Sequence, residues 1–162
     1  MSNTVKNNIV DIDLSAIRKK RFRVDGDDNR ILELNTSDLG ILPRLRESYP
    51  KLVSLAENAF KDLPEIQSTS EDYDFVTDEA TTELVEALKK ADADMRDLVD
   101  YIFDSNVSEI CAPSGSMYDP IGGQFRFEHI IGTLGTLYET DIAAEMKQAT
   151  KRVKKHTAKY TR

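Results

Sequence analysis

The sequence contains little of what thiolate chemistry and most metal sites require. Its 162 residues include one cysteine, Cys111, and two histidines, His129 and His156. A single cysteine excludes an internal disulfide framework and a zinc site built from several thiolates. A cysteine nucleophile would also need a histidine such as His129 folded beside it, so an inert structural thiol is the favoured interpretation of Cys111.

Long apolar segments are missing as well. No apolar run approaches the roughly 20 residues that a helix needs to cross a bilayer. The polar residues 1–8 contain no apolar stretch of the kind found in secretory signals. The sequence therefore predicts a disordered N-terminus over residues 1–8 and a protein of a reducing cytoplasm.

No catalytic arrangement of residues is recognisable. Gly122 and Gly123 are not followed by the Lys and Ser or Thr of a phosphate-binding loop. Glu128 and His129 are adjacent in a predicted helix, which directs their side chains roughly 100° apart. We predict no catalytic residue, no cofactor site, no metal site and a protein that is not an enzyme.

Charge is distributed unevenly along the chain. There are 22 Lys and Arg against 29 Asp and Glu, a net charge of −7, yet residues 147–162 hold seven bases and no acid, which leaves −14 on the rest. An acidic body disfavours nucleic-acid binding, because phosphate contacts need a positive face. Three interpretations of the basic end stay open: lysines that complement a helix dipole, an electrostatic contact with an acidic partner or another copy, or, least favoured, a contact with nucleic-acid phosphates.

Residues 9–35 predict β structure. Apolar residues partly alternate with polar ones over residues 9–14, and two short apolar stretches flank residues 25–29. The Gly, Asp and Asn residues of that turn tolerate left-handed backbone, so we predict a β-hairpin. A calcium-binding loop is excluded, because Arg30 and Thr36 stand where an EF-hand needs glycine and glutamate.

Helical segments follow the predicted hairpin. Residues 36–38 offer N-cap side chains for a helical stretch over residues 39–63. Pro43 and Pro50 are expected to interrupt it, so that the main helix starts near Pro50. A Ser-, Thr- and acid-rich surface linker is predicted for residues 65–77.

The next helical segment has the clearest pattern, and Thr77 is expected to cap it. Apolar residues recur at spacings of three and four at Leu84, Leu88, Ala91, Met95, Leu98 and Ile102. Val85, Val99 and Phe103 widen this seam. The pattern predicts a core-facing helix, with pairing to another subunit as the alternative. Four acids on the opposite side are interpreted as solvated helix surface: Asp92, Asp94, Asp97 and Asp100.

A loop is predicted for residues 105–124, which are rich in Pro and Gly. Its apolar residues indicate that it packs against the body: Ile110, Met117, Tyr118 and Ile121. A last helix is predicted to begin at Phe125 and to run past residue 150. Gly132 and Gly135 each cost about 1 kcal/mol relative to alanine in a helix. We therefore expect another backbone to approach there, within the domain or across a subunit interface.

The second half contains a series of runs with a counterpart in a known family. They are MRDLVDYIFD (95–104), VSEIC (107–111), GSMYDP (115–120), GGQFRFE (122–128) and a Lys-rich helix ending in KYTR (159–162). In order and texture they resemble the tail assembly chaperones of long-tailed bacteriophages and prophages. The resemblance covers residues 20–162.

This resemblance implies a function and partners. Such chaperones coat the tape-measure protein before the tail tube polymerises around it, and they leave as tail tube subunits arrive. Many are made together with a longer product of a programmed frameshift. The resemblance implies that this chain binds the tape-measure protein and the tail tube protein. It also implies a homo-oligomer, a location in the bacterial host cytoplasm and absence from the mature virion.

The sequence thus predicts an α+β fold, with a small N-terminal antiparallel β-hairpin packed on three or four helices. One domain is expected over residues 9–150, followed by a basic tail over residues 151–162. The predicted partner-binding residues are Tyr118, Phe125, Lys151, Arg152, Lys154 and Lys155. The alternatives are a structural or adaptor protein of the phage tail or virion, and an acidic inhibitor that mimics nucleic acid.

Overall fold

The structure, a computed structural model, describes residues 10–14, 19–59, 61 and 79–160. In this part of the chain the elements are, in order, β1 (Lys20–Arg23), β2 (Ile31–Leu34), α1 (Ile41–Asn58), α2 (Glu79–Phe103), α3 (Val107–Cys111), β3 (Pro120–Ile121), β4 (Gln124–Phe125) and α4 (Arg126–Thr157). The strands form two separate antiparallel pairs, β1 with β2 and β3 with β4. The predicted α+β fold with an N-terminal hairpin is confirmed.

The N-terminal hairpin turns where the sequence predicts. Phe22 lies opposite Leu32 in the antiparallel register. Asp25 and Gly26 have positive φ values of 52° and 71°, the left-handed backbone that Asp and Gly tolerate best. The turn chemistry of residues 25–29 therefore sets the position of the hairpin.

The alternating segment before the hairpin is not a strand. Residues 10–14 belong to no strand, and Val10, Ile12 and Leu14 are 83%, 81% and 64% exposed. The prediction of β structure is wrong for these residues. Alternation gives a strand its two faces, but an extended segment also needs a neighbouring strand to pair its backbone groups.

Helix α1 is continuous through Pro50. It begins at Ile41 and ends at Asn58, with Pro43 in its first turn, so the predicted interruption is wrong. Pro43 costs little, because the first N–H groups of a helix have no intrahelical partner. Pro50 removes one helical hydrogen bond, but α1 packs along α2 and that contact holds the helix together. The predicted linker and the predicted cap Thr77 lie outside the described residues.

Helix α2 supplies the centre of the core. Its buried residues are Met95, Leu98, Val99, Ile102 and Phe103, all at most 5% exposed. The predicted seam is therefore confirmed as core-facing over the second half of α2. Nearer the start of the helix it is half-buried, and Val85 is 40% exposed. The other elements contribute Leu32, Leu34, Ile41, Val107, Ala112, Met117, Tyr118, Phe127, Leu134 and Tyr138.

The segment predicted as a loop has structure of its own. It contains the short helix α3 and the β3–β4 hairpin, which turns at Gly122 and Gly123 with φ values of 59° and 83°. The prediction of a loop over residues 105–124 was therefore wrong in these parts, because elements this short carry no measurable periodicity. The expected packing against the body is confirmed at Met117, which is fully buried.

Helix α4 has two halves with different surroundings. It runs from Arg126 to Thr157, which confirms the prediction that it passes residue 150. Phe127, Leu134 and Tyr138 are buried, whereas every described side chain from Ala143 onward is exposed. The change in packing thus comes near residue 143, and the helix continues without a break through the predicted start of the basic tail at residue 151.

The two glycines of α4 have open space beside them. A Cβ at Gly132 or Gly135 would meet no other atom within 4 Å in the described part of the chain. Among the described residues, therefore, no backbone makes the close approach that was expected within the domain. An approach across a subunit interface stays a prediction.

Candidate functional site

The exposed end of α4, residues 143–157, is named here the α4 extension. Its alanines, lysines, Glu145, Met146 and Gln148 are strong helix formers. Lys154, Lys155 and His156 lie in the last turn, where positive charge complements the helix dipole. At 1.5 Å per residue the α4 extension is about 22 Å long.

The α4 extension is amphipathic. Met146, Ala149 and Val153 are spaced by three and four residues, so they form one stripe that continues from the half-buried Ile142. Met146 is 49% and Val153 is 61% exposed. The predicted partner-binding residues Lys151, Arg152, Lys154 and Lys155 all lie on this exposed helix. An apolar stripe among basic side chains is the form in which a helix docks into a partner's groove.

A second surface is an apolar groove between the N-terminal hairpin and the packed half of α4, named here the hairpin groove. Its volume is about 520 Å³. Its apolar walls include Phe22, Leu32, Ile130, Leu134 and Leu137. Three arginines also line it, and each pairs with a carboxylate: Arg23 with Asp28, Arg30 with Asp25 and Arg126 with Asp119.

Arginines fix one wall of the hairpin groove. Arg30 donates from Nε to the carbonyl oxygen of Ile110 and from Nη2 to that of Cys111, both at 2.9 Å, and pairs with Asp25 at 2.9 Å. Arg126 donates to the carbonyl oxygen of Ser114 at 2.6 Å. These bonds tie the end of α3 to the hairpin and tie the segment after α3 to α4.

Tyr118 is a core residue and not a surface contact. It is 4% exposed, its hydroxyl donates to the carbonyl oxygen of Leu55 at 3.2 Å, and its ring meets those of Phe125 and Phe127 edge-on at 6.0 and 5.5 Å. Burial, with a smaller contribution from nearby carboxylates, raises the pKa of Tyr118 to about 12. A partner cannot reach this ring in the folded chain, so the prediction of Tyr118 as a partner-binding residue is corrected.

Phe125 stands at the start of α4, away from the basic residues. It is half-buried, its ring stacks on Phe127 at 5.8 Å, and its N–H donates to the Glu128 carboxylate at 2.7 Å. Phe125 and Lys151 lie on one helix axis about 39 Å apart. The six predicted partner-binding residues therefore do not form one surface; four lie on the α4 extension, and the two aromatics help to hold the fold.

Two acids expected on a solvated helix face have structural roles instead. The Asp92 carboxylate accepts the N–H of Met117 at 2.6 Å, the hydroxyl of Ser116 at 3.1 Å and Nε of Arg96 at 2.7 Å. Asp100 accepts both the N–H and the hydroxyl of Ser108, each at 2.7 Å. The expectation is wrong for these two acids, which clamp α3 and the following segment onto α2.

The hydrogen bonds of Asp92 also determine its pKa. Desolvation by burial is the largest single influence and raises the pKa. The bonds from Arg96, the Met117 N–H and Ser116 act together in the opposite direction and leave the pKa below its ordinary value. The spacing of Asp92 and Arg96, four residues apart on a helix, was the sequence signal for part of this cluster.

The residues with nucleophilic potential are not activated. Burial raises the pKa of the Cys111 thiol, which disfavours the reactive thiolate. His129 donates from Nε2 to the carbonyl oxygen of Ile121 at 2.7 Å. Within the described residues, no three His, Cys, Asp or Glu side chains are placed to hold a metal ion.

Comparisons of the chain with protein-family models, curated proteins and solved structures give no match. None of the described helices combines the length and the apolar sequence that crossing a membrane requires. Among the described residues, the α4 extension and the hairpin groove are two surfaces that offer apolar contacts to a partner.

Proposed function

We propose that this protein is a bacteriophage tail assembly chaperone, which binds the tape-measure protein in the bacterial host cytoplasm and keeps it soluble until tail tube subunits arrive. The observation that carries the proposal is the α4 extension. It presents an apolar stripe among basic residues, and no side chain of it is buried in this chain. The resemblance of the second half of the sequence to such chaperones supplies the identity of the client.

The α4 extension gains more from a partner than from its own chain. An isolated helix of this length is marginally stable in water, because tertiary packing normally supplies most of a helix's stability. Met146 and Val153 are exposed apolar groups, so burying them against a client stabilises both the helix and the complex. A contact of this limited size suits a chaperone, because a chaperone must also release its client.

The chemistry of the α4 extension favours a particular kind of client segment. Lys151, Arg152, Lys154 and Lys155 attract acidic side chains, while the Met146–Val153 stripe packs against apolar ones. An amphipathic helix with acidic flanks satisfies both requirements. We infer that such segments of the tape-measure protein are the ones bound.

The test is co-expression with the neighbouring large, helix-rich reading frame, followed by size-exclusion chromatography of the soluble fraction. We expect the large protein to be soluble only with this chain and to co-elute with several copies of it. Reversal of all four charges, at Lys151, Arg152, Lys154 and Lys155 to Glu, should abolish co-elution. The matched control is Lys89→Glu with Lys90→Glu on the exposed side of α2, which should preserve it.

Two outcomes would contradict the proposal. In the first, the large protein stays insoluble in the presence of this chain; in the second, it co-elutes equally with the charge-reversed variant. Added tail tube protein should displace the chaperone from the complex. A stable ternary complex that persists in finished particles would favour a structural protein of the virion instead.

A further inference from the structure

We propose that the open edge of β1 accepts residues 10–14 of a second copy of this chain as a third strand. In this arrangement the apolar side chains Val10, Ile12 and Leu14 enter the hairpin groove of the accepting copy. The inference uses a different surface from the α4 extension and does not depend on the proposed function.

The edge of β1 that faces away from β2 has backbone groups that can pair with a further strand. The N–H of Val24 donates to the carbonyl oxygen of Arg30 at 2.9 Å, so these two residues form a hydrogen-bonded pair. Such pairs alternate along an antiparallel ladder. The N–H and C=O groups of Arg21 and Arg23 therefore point away from β2. Among the described residues, no strand pairs with that side of β1.

The side chains of the two segments match in period and in charge. Phe22 and Val24 of the hairpin line the groove with apolar side chains. Arg21 and Arg23 alternate with them along the chain and pair with Glu33 and Asp28. Residues 10–14 read Val-Asp-Ile-Asp-Leu, with apolar side chains on one face and acids on the other. Pairing the segments places apolar beside apolar and the two acids beside the two arginines, an arrangement that favours cross-strand pairs.

The groove has walls suited to these side chains. Beside Phe22 it presents Ile130, Leu134 and Leu137 of α4 within a volume of about 520 Å³. Val10, Ile12 and Leu14 are 64% to 83% exposed on their own chain. One molecule therefore has both an alternating segment with exposed apolar side chains and a groove with apolar walls.

A second copy is the occupant because the chain's own segment lies outside the groove in this structure. Each copy then donates residues 10–14 as a strand and accepts the same segment of the other copy at the edge of its β1. Reciprocal exchange closes as a two-fold dimer, the symmetry that exchange of an identical element commonly produces. The same exchange covers an edge strand that would otherwise be open to unspecific pairing.

Disulfide trapping between two single-cysteine variants tests the proposal. In a full-length Cys111→Ser background, one chain carries Asp11→Cys and the other carries Arg21→Cys or Arg23→Cys. We expect a mixture to form linked heterodimers under mild oxidation, at about tenfold the yield obtained when the second chain instead carries Lys89→Cys on α2. Equal yields from both mixtures would overturn the inference.

A chain that carries both Asp11→Cys and Arg21→Cys distinguishes exchange from folding back. Linked dimers support the inference. A disulfide within one chain would show that the segment fills its own groove, and it would overturn the inference.

Sedimentation of the full chain gives an independent measurement. Ile12→Asp should reduce the dimer fraction about tenfold and leave the melting temperature of the dilute monomer unchanged, because Ile12 is exposed on its own chain. Leu42→Asp, which places the same charge at an exposed position of α1, should leave the dimer fraction unchanged. A dimer fraction insensitive to Ile12→Asp would count against strand exchange, whatever the result of the tape-measure experiment.

Discussion

At the scale of single residues, four arginines share one role. Arg30, Arg44, Arg96 and Arg126 each bind a carboxylate and at least one main-chain carbonyl. Arg44, for example, donates to the carbonyl oxygen of Ile102 near the end of α2 and pairs with Asp38, whose pKa it lowers. A guanidinium has enough donors in a fixed plane to do both at once.

Removing the Asp92 carboxylate should weaken the fold. Asp92→Ala leaves the Met117 N–H and Arg96 without their shared acceptor, so we expect the free energy of unfolding to fall by on the order of 3 kcal/mol. Urea denaturation measures it. Asp94→Ala removes an exposed partner of Lys90 and should change stability by less than about 1 kcal/mol.

The lowered pKa of Asp92 also predicts a pH dependence. A carboxyl group whose folded-state pKa lies below its unfolded value stabilises the protein above the unfolded pKa, and that stabilisation is lost as the pH falls through the folded one. We expect the urea concentration at the unfolding midpoint to decrease as the pH falls below about 4, and to decrease less in Asp92→Asn. Asp38 and Asp141 also have lowered pKa values, so the dependence should shrink without vanishing. A profile identical to wild type would refute the assignment.

Two glycines should respond to alanine in opposite directions. Gly115 has a φ of +81°, and a Cβ there would collide with the Asp119 carboxylate, so Gly115→Ala should destabilise the fold by about 2 kcal/mol. Gly132 lies in α4 with open space around it. Gly132→Ala should therefore stabilise the fold by roughly 0.5–1 kcal/mol. Thermal denaturation of both variants measures the difference in sign.

At the scale of elements, local chemistry explains which predictions succeeded. The hairpin was predictable because residues 25–29 are a strong turn signal, and α2 because its apolar residues keep a helical period over about five turns of chain. α3 and the β3–β4 hairpin are too short for any period. The expected break at Pro50 rested on its local cost alone, whereas the contact between α1 and α2, which offsets that cost, links residues distant in sequence.

In the candidate site, too, features set by local sequence were predictable and features set by contacts distant in sequence were not. The exposure of the four basic residues was predictable because a run of like charge at a helix end is exposed whatever the rest of the chain does, and their role in partner binding stays a prediction. Tyr118 was misassigned because an aromatic residue in a segment rich in Pro and Gly can equally be buried in the core or exposed on the surface. Two hydrogen bonds hold it in place, from the Met117 N–H to the Asp92 carboxylate and from the Tyr118 hydroxyl to the Leu55 carbonyl oxygen. Both join segments far apart in sequence.

The stability of the whole fold should depend on Met95 in helix α2. Met95 is fully buried, so Met95→Asp places a charge in the core and should unfold the chain, at a cost of more than about 4 kcal/mol. Circular dichroism gives the readout. Val85→Asp on the same helix is the control, because Val85 is 40% exposed and should tolerate the change. A folded Met95→Asp monomer would mean that the seam is an interface.

At the scale of the whole molecule, charge and packing divide the chain at nearly the same place. The body is acidic and contains the core, and the α4 extension is basic and contains no buried side chain. Under the proposed function, stability and partner binding are therefore carried by different parts of the molecule. A change in one should leave the other largely intact.

Removal of residues 151–162 tests this separation. We expect the melting temperature to change little, because no side chain of residues 151–160 is buried, while binding to the client weakens. Binding by the full chain should also weaken as salt rises from about 50 to about 500 mM, since screening shortens the reach of exposed charges. Affinity that stays constant across the salt series would mean that the basic residues contribute nothing.

The single helix α4 also combines two regimes of motion. Amide hydrogens around Leu134 and Tyr138, which pack in the core, should exchange with solvent only when the molecule opens globally. Those of residues 143–157 should exchange through fraying of the helix end, orders of magnitude faster. We therefore expect the basic end to melt and re-form while the body stays folded. Under the proposed function, a client would then be bound and released without any loss of stability in the protein that holds it.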